Sequence, residues 1–97
     1  MAARLEFDGR LVKPAELRVT PRGQPVLRAW VRCDDGTQPL VLEVVLLGEV
    51  ARELGSLRAG ETVWGEGELR AVTTRLVGRQ APARLEVVAS LLRPGAR

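Results

Sequence analysis

Apolar and polar positions alternate with a period of two through most of this 97-residue chain, and the alternation breaks at proline and glycine. RLEFDGRLV (4–12) predicts a strand, with Gly9 marking a bulge or a sharp bend inside it. KPAE (13–16) interrupts the run, and LRVTPRGQP (17–25) predicts a short strand followed by a turn at Pro21-Arg22-Gly23. Over 26–33 the strand pattern sends Leu27, Ala29, Val31 and Cys33 to one face and Arg28, Trp30 and Arg32 to the other. DDGT (34–37) is a hairpin-turn signal, because Asp-Gly readily supplies positive φ. PLVLEVVLLG (39–48) is almost unbroken in its apolarity, which predicts a strand covered on both faces.

The period then changes. In GEVARELGSLRAG (48–60), Val50, Ala51, Leu54 and Leu57 follow helical spacing, with Glu49 in the first turn and Gly60 as the stop, so a helix of two or three turns is expected. ETVWGEGELRAV (61–72) returns to strand, with Val63, Gly65, Gly67 and Leu69 in one row and Thr62, Trp64, Glu66, Glu68 and Arg70 in the other. TTRLVGRQAPA (73–83) reads as a loop or hairpin arm, RLEVVASLL (84–92) as the last strand and RPGAR as a tail. An all-β chain with one short helix between its third and fourth long strands has the order of a five-stranded Greek-key barrel of the OB type. In that count the two early pieces form one strand. An SH3-like barrel, the competing architecture, has no natural place for the helix. A single domain over 1–97 is expected, with its core at about 4–92 and a tail at 93–97.

Charge adds a second pattern. Residues 10–32 carry six basic side chains against Glu16, residues 34–68 carry eight acids against Arg52 and Arg58, and residues 70–84 carry four arginines and no acid. Two basic segments flank an acidic middle. Brought together in space they would offer a polyanion one face, although ordinary solvated surface accounts for the same pattern. Lys13 is the only lysine among fifteen basic residues, which reflects either base composition of the genome or a demand for Arg chemistry.

Several chemistries find no support. There is no His, and the single Cys33 has no base to activate it and lies on the apolar row, where an inert buried thiol is expected. Neither a metal site nor a catalytic residue nor a cofactor is predicted, so the chain is expected not to be an enzyme. GEGEL lacks the lysine and context of a phosphate loop. The opening MAARLEFDGR has no apolar signal core, and no run reaches the roughly 20 apolar residues of a membrane span. With no disulfide possible, a soluble cytoplasmic protein is expected.

Taken in order, these segments resemble the bacterial single-stranded-DNA-binding OB domains. LEFDGRL is similar to the family's first strand. PAELRVTPRGQPV resembles its basic residue, Thr/Ser-Pro-x-Gly turn and following strand. VVLLGEVARELGSLRAGETVWGEGEL resembles its strand–Gly–helix–Gly–strand stretch. The likeness runs over about 4–92. Within the family, LRVTPRGQPVL looks most like the primosomal replication protein N type of replication restart, and the absence of an acidic tail after the core points the same way. That resemblance implies a homodimer, with a primosomal helicase and other restart proteins as partners. The general type of single-stranded-DNA-binding protein would imply a tetramer. Where the general type places stacking aromatics, this chain has Val41 and Leu47, a short DDGTQP connection and an arm without aromatics. The primosomal type relies more on basic residues.

The expected ligand is single-stranded DNA lying across the first three barrel strands and under the 73–83 arm, with single-stranded RNA left open. Arg18, Arg22, Arg28, Arg32, Arg70, Arg75, Arg79 and Arg84 are the candidate phosphate contacts, each with solvated surface charge as its alternative. Trp30 is the candidate stacking residue, or else an interface or second-layer residue. Trp64, in a row with Glu66 and Glu68, is assigned to a subunit interface. A protein-interaction module that has lost nucleic-acid binding is the reading from another class.

Overall fold

A computed structural model describes residues 3–34, 37–72 and 84–96, together with the backbone of 75–76 and 79–80. In chain order the elements are β1 (Ala3–Leu11), β2 (Glu16–Val19), β3 (Pro25–Asp34), β4 (Pro39–Leu47), α1 (Glu49–Glu53), β5 (Thr62–Val72), β6 (Arg75–Leu76), β7 (Arg79–Gln80) and β8 (Arg84–Pro94). The main sheet runs β1-β5-β8-β4-β3-β2 and closes through a second pairing of β1 with β3. Val44 and Val45 of β4 lie parallel to Val87 and Val88 of β8, and the other described ladders of the sheet are antiparallel. The 35–36 centre of the expected DDGT turn lies outside the described residues, but Asp34 and Pro39 are register partners across it.

The two early strand pieces do act as one barrel strand. Arg10 and Leu11 pair with Arg32 and Val31, and Glu16 to Val19 pair with Arg28 to Pro25 on the same edge of β3. Between them KPAE loops out, tied at each end: Val12 N–H donates to the Trp30 carbonyl at 3.0 Å and Ala15 N–H to the Leu57 carbonyl at 3.1 Å. Gly9 permits the closure. A Cβ there would collide with the Arg32 carbonyl, so β1 can reach β3 only with a glycine at this point. The 20–24 turn is also built as the sequence predicts, with Gly23 at φ 84 donating to the Thr20 carbonyl at 2.8 Å.

Inward rows fill the barrel. Leu27, Ala29 and Val31 are fully buried with Val44, Val63 and Val87, and Phe7, Leu11 and Leu92 join the same cluster. Ala51, Leu54 and Leu57 plug one end.

Three expectations are corrected. The helix is a five-residue turn rather than two or three turns. Beyond it the chain continues in i→i−3 bonds, Leu54 N–H to Ala51 O and Leu57 N–H to Leu54 O, both 3.2 Å. A three-residue repeat stacks Ala51, Leu54 and Leu57 on one side and leaves Val50 in solvent. β4, in turn, is covered only over its second half: Leu40 and Val41 are about half exposed. Its pairing with β8 is confined to Val44 and Val45, so among the described residues its first half pairs with β3 alone. The last strand also runs two residues further than expected, to Pro94.

Candidate nucleic-acid interface

Alternation along β3 sends Val26, Arg28, Trp30 and Arg32 outward, opposite the buried row. Register then decides their neighbours. On the β2 side Arg28 faces Glu16 and Val26 faces Arg18, with Arg22 exposed at the turn joining the two strands. On the β4 side Arg28 faces Val45, Trp30 faces Glu43 and Arg32 faces Val41. At the closure, Arg10 of β1 is the register partner of Arg32, and both side chains are exposed. Two like charges directly opposed across strands repel unless an anion lies between them. Neither has an ion-pair partner among the described residues.

Trp30 is half-buried, and Lys13 from the looped-out KPAE segment places its Nζ 3.8 Å from the ring centroid. Lys13 also lies 4.0 Å from the Glu16 carboxylate. A cation over an exposed ring is worth about 0.5–1 kcal/mol, whereas a stacked base is worth about 1–3 kcal/mol. A base stacked on this ring would therefore outcompete the ammonium for it.

The arginines fall into two groups. Arg18, Arg22, Arg32 and Arg70 make no ion pair among the described residues. Arg28 and Arg84 belong to a four-residue cluster spanning β3, β4 and β8. Arg28 donates to Glu43 at 2.7 Å and to Glu86 at 3.4 Å, and Arg84 Nε lies 3.7 Å from the other Glu43 oxygen. Arg70 is the register partner of Glu86 and so borders the same cluster. In the short β6–β7 ladder Arg75 pairs with Gln80 and Arg79 with Leu76, while the side chains of both arginines lie outside the described residues.

Trp64 stands on a different surface. On β5 it faces Asp8 of β1 and Arg93 of β8, two residues from Glu66, whose own partner is Glu6. Cys33, at the end of the inward row, is half-buried beneath Asp8. Burial first, and the nearby Asp8 carboxylate second, push its thiol above the ordinary value, so it stays protonated and unreactive near neutral pH. Among the described residues no group of three or more His, Cys, Asp or Glu is placed to hold a metal ion, and no helix is long and apolar enough to cross a membrane.

Sequence patterning alone passes over Lys13, Arg10, Glu43 as a clamp, and Glu86. Glu86 carried the clearest signal, since a carboxylate inside the apolar run LEVVA needs a partner if that strand is buried. The other three depend on cross-strand register.

A closed five-stranded barrel with one short helix at its end defines the OB fold. Among solved structures the chain is similar to the wild-type single-stranded DNA binding protein from Thermus aquaticus, with a TM-score of 0.77 and 26% identity over 98% of this chain. It spans 41% of that protein's length. No family model and no curated protein matches the sequence.

Proposed function

We propose that this protein binds single-stranded DNA without catalysing a reaction, through the outer face of β2 and β3. The observation that carries the reading is the exposed basic row on β3, with Arg32 opposed to Arg10 and Trp30 between Arg28 and Arg32, on a barrel that resembles one from a single-stranded DNA binding protein. Arg10, Arg18, Arg22, Arg32 and Arg70 contact phosphates from the start, Arg75 and Arg79 reach the strand from the arm, and Trp30 stacks on a base. Such a site has little means of reading sequence, because phosphates and π-faces are common to all bases.

The primosomal, replication-restart type is the particular reading, acting in the cytoplasm with a primosomal helicase and other restart proteins as partners. Its support is the LRVTPRGQPVL stretch and a site built on arginine, with Val41 and Leu47 on the outer row of β4 where stacking aromatics would otherwise stand. A homodimer fits the open edge of β1. Its Ala3–Gly9 stretch pairs with β5 on one side and, among the described residues, with no strand on the other. A second copy adding strand to strand there would bring Trp64, one strand in from that edge, close to the contact. Sedimentation distinguishes this dimer from the tetramer of the general type. The exposed Leu40 and Val41 favour a second use of the fold, as a protein-interaction module.

Titration with oligo-dT at low and moderate salt tests the binding. Log affinity should fall by about 0.7 per phosphate contact for each decade of salt. Absent binding, or binding indifferent to salt, refutes it and leaves the interaction module standing.

A further inference from the structure

The Arg28–Glu43–Glu86–Arg84 cluster borders the face assigned to DNA: Arg28 lies on β3 within that face, and Glu43, Glu86 and Arg84 stand beside it on β4 and β8. Glu43 is the register partner of Trp30, and its side chain is only 18% exposed. Its two oxygens divide the work, Oε1 taking Arg28 at 2.7 Å and Oε2 facing Arg84 at 3.7 Å. Glu86, buried on β8, adds a second oxygen to the same Arg28 nitrogen at 3.4 Å. A phosphate presents oxygens to guanidinium groups in the same way.

Resting on the binding reading above, we infer that Glu43 occupies the place of a backbone phosphate and holds Arg28 and Arg84 in reserve. A single strand gains these two arginines only by displacing a carboxylate, and near Trp30 its phosphates meet a negative charge. Glu43 is thus a positioning residue that attenuates binding. The strand is held at first by the unpaired arginines and by stacking on Trp30. A ligand that offers phosphate without a base to stack does not repay the loss of the internal pairs.

Glutamine in place of glutamate keeps the shape and an acceptor oxygen while removing the charge. In Glu43→Gln, oligo-dT should bind about three- to tenfold more tightly at low salt, and the salt slope should steepen by about 0.7–1.4 as one or both arginines become phosphate contacts. A merely structural glutamate would leave that slope unchanged. A second comparison does not touch Glu43. Arg84→Gln should lower the wild-type slope by well under about 0.7, whereas Arg18→Gln should lower it by the full amount. Unchanged affinity and slope in Glu43→Gln, or equal slopes for Arg84→Gln and Arg18→Gln, would overturn the inference while leaving DNA binding intact. Wild-type protein that shows no salt-dependent binding would remove both.

Discussion

The barrel carries two tryptophans on two outer surfaces, and their surroundings have opposite sign. Around Trp30, on β3, stand Arg28, Arg32 and Lys13, with Arg10 opposed to Arg32, and the one acid directly across from the tryptophan, Glu43 on β4, is paired with Arg28 and Arg84. Around Trp64, on β5, stand Asp8, Glu66 and Glu68, with Glu6 opposed to Glu66 and Arg93 on the far side. On the first surface the opposed Arg10 and Arg32 are a cross-strand pair of like charges, which costs stability unless an anion lies between them. A polyanion is a natural complement to the first surface, whereas the carboxylates of the second repel one. Strand alternation alone would have made the two rows equivalent. What separates them is which strands lie on either side.

The largest expected effect lies at the joint between the two surfaces. Gly9 is where β1 leaves the β5 side and reaches β3, so Gly9→Ala should overpack the closure by about 1–3 kcal/mol. In a domain of this size that is a loss of roughly 5–20 °C in melting temperature, readable by calorimetry, and it should weaken both surfaces together. An unchanged melting temperature would mean that β1 does not close the barrel at Gly9.

Next come charge reversals that separate the surfaces. Arg18→Glu with Arg32→Glu should reduce oligo-dT affinity by about a hundredfold at low salt. Arg4→Glu with Arg93→Glu, on the acidic side, should leave it within about twofold. Equal losses from the two pairs would mean that net charge alone, rather than the β3 face, governs binding. Arg28 is a poor choice for this test, since removing it leaves Glu43 and Glu86 facing each other and mixes a folding cost into the binding change.

Smaller effects sharpen the comparison. Trp30→Ala should cost about 1–3 kcal/mol of binding, while Trp64→Ala should spare DNA affinity and shift the sedimentation equilibrium toward monomer. Neutralising Arg75 and Arg79 to Gln should flatten the salt slope by about 1.4 with little change in melting temperature. Smallest is the response of Cys33. Its raised pKa means that alkylation at neutral pH should be slower than for a free cysteine. The stability this protonated thiol contributes should be complete below the unfolded thiol's pKa and fade as pH rises through the folded one. A fast reaction at neutral pH would contradict the buried, protonated thiol.

Much of this could be read from alternation and turn chemistry. The β3 rows, the Thr20–Gln24 turn and the place of the helix follow from local patterns that tertiary structure did not override. The length of the helix did not, because spacing at 51, 54 and 57 suits a three-residue repeat as well as a helical one, and the hydrogen bonds chose the former. Nor did the bare half of β4, since an apolar run does not reveal where a parallel partner stops. Lys13 over Trp30 and the Glu43 clamp were invisible for a similar reason. Both arise from register between segments far apart in sequence, which fixes neighbours only once the barrel has closed.

The central claim is that only one of the two tryptophan surfaces meets DNA, and the tryptophans report on it themselves. In Trp64→Phe protein the remaining fluorescence comes from Trp30 and should be quenched by oligo-dT, with the quenching reversed by added salt. In Trp30→Phe protein, the fluorescence of Trp64 should not respond to the oligonucleotide. Quenching confined to Trp64, or absent from both proteins, would contradict the account.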